Sequence, residues 1–212
     1  IWELTLWHHS AAYAPYLAAV KQAAAAVSNR AEKPRALDYG SGIGTTAILL
    51  AQAGFAVDIC DVPGCTLRFA QHRLERRGLP FHTVPARIEG AALSGSYDLA
   101  LCLDVVEHVP KPERIVQNIA RHLRPGGLAV IVTSFEESPD RPCHLDDLHM
   151  RFTPMHWLIE LSGCGLQRVA WNTYRKAAAW SMPFRKSRYW LWRVTGLYVE
   201  RIARAPHKPL SY

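Results

Sequence analysis

The sequence predicts one α/β domain, a parallel sheet sandwiched between two layers of helices. Three observations carry this. Short apolar runs alternate with helical stretches from residue 36 onward, and the connections between them are short and marked by glycine. Leu128-Ala129-Val130-Ile131-Val132 is apolar throughout, as a strand buried on both faces should be. A chain of 212 residues holds one such domain with little left over. With 49% hydrophobic and 20% charged residues it can bury a core without disulfide or metal staples, which excludes a disordered or fibrous chain.

The elements follow in order. Pro15 to Val27, dense in Ala and Leu, predicts an N-terminal helix, and a linker covers Asn29 to Arg35. Ala36 to Tyr39 reads as a strand, Thr45 to Ala53 as a helix closed by Gly54, and Phe55 to Cys60 as a strand. Cys65 to Arg77 is a helix closed by Gly78, followed by a strand at Phe81 to Val84. Tyr97 to Leu103 is a strand, Pro112 to Leu123 a helix, Arg124-Pro125-Gly126-Gly127 a turn, and Leu128 to Thr133 a strand. A polar segment, Glu136 to Met150, precedes a helix that Thr153 caps and Pro154 opens, running to Gly163. Leu166 to Tyr174 reads as a sixth strand, and Tyr198 to Ala205 fits either a helix stripe or a last strand.

Charge is unevenly distributed. Residues 1–167 hold 15 Lys and Arg against 17 Asp and Glu, net −2, whereas residues 168–212 hold 10 against one, net +9. The basic tail also carries Trp171, Trp180, Trp190 and Trp192, a mixture found in membrane-surface and nucleic-acid-binding segments and equally in a solvated face over core aromatics. The five cysteines form no C-x-x-C pair, which fits free thiols in a reducing cytosol. No run reaches the roughly 18 apolar residues of a membrane span. The expectation is a cytoplasmic chain, membrane-peripheral if the tail meets lipid. Its first residue is Ile1 instead of Met, which leaves the true N-terminus open.

Leu37-Asp38-Tyr39-Gly40-Ser41-Gly42-Ile43-Gly44-Thr45-Thr46 lies where the first strand hands over to the first helix. Glycines there let main-chain N–H groups approach a ligand at the carboxyl edge of the sheet. The spacing is G-x-G-x-G, so the third glycine of the dinucleotide fingerprint G-x-G-x-x-G falls on Thr45, and the Gly-Lys-Ser/Thr ending of a phosphate loop is absent. Seventeen residues after Gly44 the second strand ends at Asp61, placed to accept both hydroxyls of a ribose or to cap the helix that follows.

Together with Tyr97-Asp98-Leu99, Val105-Val106-Glu107-His108-Val109, Leu123-Arg124-Pro125-Gly126-Gly127-Leu128 and Phe152-Thr153-Pro154 through Gly165-Leu166, these stretches resemble the class I S-adenosylmethionine-dependent methyltransferases over residues 36 to 175. Glu107-His108 is most similar to the quinone-biosynthesis and small-molecule branch. The resemblance implies a Rossmann-like three-layer sandwich with a seven-stranded, mostly parallel sheet whose last strand is antiparallel, a place Tyr198 to Ala205 would fill. It implies S-adenosyl-L-methionine as cofactor, with the methionine part near Asp38, Gly40 and Gly42, the ribose on Asp61, and Ser41 and Gly44 of the same loop also binding the cofactor. Adenine would lie beside Val62 and the loop after the third strand. There Pro85-Ala86-Arg87-Ile88-Glu89 departs from the family's acidic-then-small pattern and offers Arg87 and Ile88. Leu103 and Asp104 would face the sulfonium and the acceptor.

Methyl transfer from a sulfonium is an in-line displacement with an activated leaving group, so positioning is the main task and a base helps only a hydroxyl acceptor. His108, His144, His149 and Asp104 are the catalytic candidates, although each histidine taken alone reads first as a structural residue that caps and hydrogen-bonds in its loop. The run His144-Leu145-Asp146-Asp147-Leu148-His149 matches no ligand spacing, and the set Asp104, Glu107 and His108 reads equally as packing and capping of its turn, so no metal is assigned. The expected organisation is an N-terminal helical lid over residues 1–30, bringing His8, His9 and Tyr13 toward the site, and a catalytic domain over 31–212. The cofactor half of that domain is 36–110 and the substrate half 111–212, with a basic, tryptophan-rich insertion at 177–196. The expected acceptor is a small or lipid-like molecule. A nucleic-acid acceptor held by the basic tail and a catalytically silent cofactor-binding scaffold are the competing readings.

Overall fold

The computed structural model describes residues 2–29, 33–87, 89–134 and 153–178. Helix α1 (Trp2–His8) and a 3-10 turn (Ala11–Tyr13) lead into helix α2 (Ala14–Ser28), which starts with Pro15 in its first turn. Then come β1 (Arg35–Tyr39), α3 (Thr45–Gln52), β2 (Ala56–Asp61), α4 (Cys65–Glu75), β3 (Phe81–Arg87), a two-residue β4 (Gly90–Ala91) and β5 (Tyr97–Leu103). A 3-10 turn (Val106–His108), α5 (Pro112–His122), β6 (Leu123–Val132), α6 (Pro154–Gly163), β7 (Leu166–Ala170) and β8 (Thr173–Lys176) complete the described chain.

The sheet runs β4-β3-β2-β1-β5-β6-β8-β7. Strands β3, β2, β1, β5 and β6 are parallel, and β8 lies antiparallel between β6 and β7. Alternate residues of each strand enter opposite layers, because successive side chains of a strand point to opposite faces. Ala36, Leu99, Leu101, Leu128 and Val130 pack under α2, α3 and α4 with Val20, Leu50 and Leu74. Leu37, Tyr39, Ala100, Cys102, Ala129 and Ile131 pack under α5 and α6 with Ile115, Ile119, Trp157 and Leu161. The α2 stripe Ala19, Val20, Ala23, Ala24 and Val27 is the buried face that the helical spacing foretells. The expected three-layer α/β sandwich is therefore present.

Three details differ from expectation. Leu166 to Tyr174 is two strands, split at Trp171–Asn172, where Asn172 takes φ 45° without a glycine. The antiparallel place beside β6 is thus filled by Thr173–Lys176, and Tyr198 to Ala205 lies outside the described residues. The turn expected at Arg124 to Gly127 is an irregularity inside one strand: Leu123 pairs with Tyr97 and Leu128 with Leu99, so the intervening residues bulge out. The described residues hold eight strands, among them the short β4, which adds to the edge at β3.

β1 is the switch point: the chain winds outward from it through β2, β3 and β4 and then crosses back to β5 on its other side, opening a crevice above the carboxyl ends of β1 and β5. No helix among the described residues is long and apolar enough to cross a membrane.

Candidate active site

The glycine turn folds back on the sheet at that crevice. Gly40 and Ser41 donate their N–H groups to the carbonyl of Cys60, at 2.7 and 3.2 Å, and Gly44 donates to Ser41 at 2.8 Å. Gly40, Gly42 and Gly44 all take positive φ, at 74°, 53° and 77°, backbone that side chains rarely adopt. Their surroundings differ. A Cβ on Gly40 would overlap the Val105 side chain, so this glycine permits close packing, whereas a Cβ on Gly42 would meet nothing within 4 Å and this glycine borders open space.

Asp61, at the tip of β2, accepts the N–H of Gly42 and of Val62, both at 2.7 Å. Burial raises its pKa, and those two main-chain donors oppose the rise. Asp38 is only 2% exposed and accepts the Thr46 hydroxyl at 2.7 Å. Burial pushes it up to about 6 against the pull of that hydroxyl, and the charge of Asp61 adds to the rise. The buried Ser41 Oγ has no hydrogen-bond partner among the described residues. An unpaired hydroxyl, open space over Gly42 and a concentration of carboxylates together suit a cationic, hydroxyl-bearing ligand. They do not suit a pyrophosphate.

The acceptor side is built from the tip of β5. Asp104 holds φ 52°, unusual for a residue other than glycine, and its N–H donates to Val132 at 3.0 Å. Its carboxylate accepts the Tyr16 hydroxyl at 3.0 Å. Glu107, 1% exposed, accepts the Thr133 hydroxyl at 3.0 Å and the Ser134 N–H at 3.4 Å. Burial raises its pKa first, and Asp104 raises it further. Glu107 therefore ties the β5 turn to the end of β6.

The N-terminal segment closes over this edge. His8 Nδ1 shares a hydrogen bond of 2.8 Å with Thr45 Oγ1, which also accepts from Arg73 at 3.1 Å. Burial, then the Arg73 charge, brings His8 down to about 4 and keeps it neutral. His8 stacks on Tyr13 and Tyr13 on Tyr16, at centroid distances of 4.4 and 5.1 Å. Burial chiefly raises the Tyr13 pKa, and the charges of Asp38 and Asp104 both add to the rise.

Asp38, Gly40, Ser41, Gly42, Gly44 and Asp61 thus come together around one crevice, with Leu103, Asp104 and His108 on its β5 side. Val62 is 52% exposed at the rim and Arg87 is exposed at the end of β3. Tyr13 and His8 face inward, whereas His9 is exposed. Ile88, His144 and His149 lie outside the described residues, as does the 177–196 stretch beyond Ala178. Among the described residues no group of three or more His, Cys, Asp or Glu side chains is placed to hold a metal ion. Sequence reasoning missed Thr46, Tyr16 and Val105. Only the Tyr13–Tyr16 spacing, one helical turn, hinted at a second inward tyrosine.

The family profile described as "Methyltransferase domain" matches residues 7–199. A ubiquinone biosynthesis O-methyltransferase of Rickettsia prowazekii is 33% identical over 105 residues, 50% of this chain and 42% of that relative. Another, of Bordetella avium, is 35% identical over 95 residues, 44% of this chain and 39% of that relative. The matches thus span less than half the length of these curated relatives. Among solved structures, a candidate sarcosine dimethylglycine methyltransferase from Galdieria sulphuraria aligns with TM-score 0.59 and 20% identity, covering 71% of this chain and 59% of its own. The cyclase SpnF aligns with TM-score 0.55 and 18% identity over 69% of this chain and 58% of its own. The fold is common to all of these, and a cyclase among them shows that the fold alone does not fix the reaction.

Proposed function

The chain belongs to the S-adenosylmethionine-dependent methyltransferase family, and on that premise we propose that it methylates a hydroxyl of a small or lipid-like molecule. The observation that carries the reading is the crevice at the switch point, where the glycine turn, Asp61 and the unpaired Ser41 hydroxyl fit a nucleoside without phosphates. The relatives named for ubiquinone biosynthesis support oxygen as the methylated atom.

In this reading Asp61 accepts from the ribose hydroxyls, Asp38 and the Gly40–Gly44 turn hold the methionine part, and Val62, Arg87 and Ile88 border the adenine. The carboxylates of Asp38, Asp61, Asp104 and Glu107 make the crevice anionic, which favours a sulfonium over a pyrophosphate. When bound, the cofactor supplies a methyl group on an activated leaving group. The protein's part would be to align the acceptor oxygen with that methyl group and to take up the hydroxyl proton, released as the methyl leaves sulfur for oxygen, at a base on the tip of β5. Asp104 is the base this reading favours, with His108 beside it and His144 and His149 as further candidates. Residues 1–30 act as the lid, and the basic residues after 176 border the acceptor or meet the membrane that carries it.

The test is methyl transfer from radiolabelled S-adenosylmethionine to a panel of catechols, simple phenols and aliphatic alcohols, with transfer RNA and DNA alongside. Label on a hydroxylated small molecule supports the reading. Label on nucleic acid alone, or on nothing while the cofactor binds, overturns it in favour of a nucleic-acid enzyme or a scaffold.

A further inference from the structure

We propose that Tyr16 is a positioning residue for methyl transfer: from the N-terminal lid it fixes the Asp104 carboxylate at the tip of β5, and Trp171 braces its ring. The inference rests on the proposed reading of Asp104 as the base.

Four observations support it. The Tyr16 hydroxyl donates to Asp104 Oδ1 at 3.0 Å across 88 positions of sequence. Asp104 holds a left-handed backbone that side chains avoid, φ 52°, pinned by its N–H to Val132. The Tyr16 ring is fixed on three sides, by Trp7 at 6.1 Å and 88°, Tyr13 at 5.1 Å and 25°, and Trp171 at 5.9 Å and 64°. Trp171 is held out by the tight β7–β8 turn, where Asn172 also takes positive φ and its carbonyl accepts the Ile131 N–H at 2.9 Å. Although 45% exposed, Trp171 is oriented toward the lid by this turn.

The electrostatics give the contact a purpose. The charge of Asp104 is felt by Glu107 in the next turn, by the Cys102 thiol on β5 and by the Tyr13 phenol on the lid. Glu107 repels an ionised Asp104. A hydroxyl donated to the carboxylate favours the charged form and holds the group in one orientation. Without it, Asp104 would accept a proton more readily and turn about a strained backbone. A base that must be ionised before it accepts the acceptor's proton therefore depends on Tyr16.

The decisive experiment combines Tyr16→Phe, Trp171→Ala and Trp171→Phe in the full chain with two readouts. The Asp104 carboxyl carbon is titrated by carbon-13 NMR, assigned with Asp104→Asn. The pH profile of kcat is measured with 3,4-dihydroxybenzoate as acceptor. Tyr16→Phe keeps the ring and should raise the Asp104 midpoint by about one pH unit, the scale of losing a hydrogen bond to a charged group. The acid limb of kcat should move with it while affinity for S-adenosylhomocysteine stays within about twofold, a change of about 0.4 kcal/mol. Trp171→Ala should shift the midpoint the same way and less, and Trp171→Phe should restore it. An unmoved midpoint overturns the proposal, as does a raised midpoint that leaves the acid limb in place. If 3,4-dihydroxybenzoate is not methylated, the NMR titration still decides the Tyr16–Asp104 link. The methyltransferase reading is judged separately, by cofactor binding to the unsubstituted protein.

Discussion

Asp61 and Gly42 are joined by a 2.7 Å hydrogen bond from the glycine N–H to the carboxylate, 19 positions apart in sequence. The residue that in the proposed reading takes the ribose is therefore also the residue that shapes the glycine turn. Its second oxygen holds Val62 in the same way. Asp61→Ala leaves two main-chain donors without this acceptor, so it should loosen the turn as well as remove a ribose contact. The expected loss of cofactor affinity is about 1–3 kcal/mol. Asp61→Asn, with one accepting oxygen in place of two, should fall between. Equal affinity in all three proteins would contradict this.

The two glycines of the turn should separate fold from binding. Gly40→Ala forces a left-handed alanine, at about 1–2 kcal/mol, and pushes into Val105, adding about 1–3 kcal/mol of overpacking. Its melting temperature should drop, and Val105→Ala should recover part of the drop. Gly42→Ala carries only the backbone strain, because its Cβ points into open space. It should stay folded by circular dichroism yet bind S-adenosylmethionine at least about tenfold more weakly, about 1.4 kcal/mol. A folded Gly42→Ala with unchanged affinity would remove Gly42 from the site.

Most of the crevice was legible because its signals are local. A strand ending in Gly-x-Gly-x-Gly before Thr45-Thr46 carries its backbone conformation in the residues themselves, and Asp61 follows at the next strand tip. The contact between the N-terminal segment and Asp104 was not legible in the same way. Tyr16 and Asp104 meet only after α2 has packed across β5 and β6, and no periodicity within either stretch encodes a partner so far along the chain. The β7–β8 turn escaped because Asn172 supplies left-handed backbone where glycine is the usual mark. At Arg124 to Gly127 the residues that would make a turn also make a bulge, and only the neighbouring strand decides between them.

Asp38 and His8 should pull the pH dependence of stability in opposite directions. Asp38 rises to about 6 on folding, so between pH 4 and about 6 the folded protein holds a proton the unfolded chain has released. This raises stability as pH falls through that window, and Asp38→Asn should flatten the trend. His8 falls to about 4, so between pH 6.5 and about 4 the unfolded chain binds the extra proton and stability drops as pH falls. His8→Gln should remove that drop. Melting temperatures of the two variants and the parent from pH 4 to 7.5 check both signs, and matching profiles for all three would contradict the assignments.

Cofactor affinity should also follow Asp38. If its ionised carboxylate meets the cofactor's ammonium group, binding expels a proton below pH 6, and affinity should weaken toward tenfold per pH unit on the acid side of that value. Calorimetry in two buffers of different ionisation enthalpy measures the proton directly. A proton count of zero at pH 5 would place Asp38 away from the ligand.

In the proposed reading the crevice above β1 and β2 binds S-adenosylmethionine through its glycine turn and Asp61. Calorimetric titration of the protein, Gly42→Ala and Asp61→Ala with S-adenosylmethionine, and with NAD as control, tests it most directly. Micromolar binding to the parent, binding at least about tenfold weaker to Gly42→Ala and at least about fivefold weaker to Asp61→Ala, and no binding of NAD are expected. Absence of binding to the parent, or equal binding to all three proteins, would contradict it.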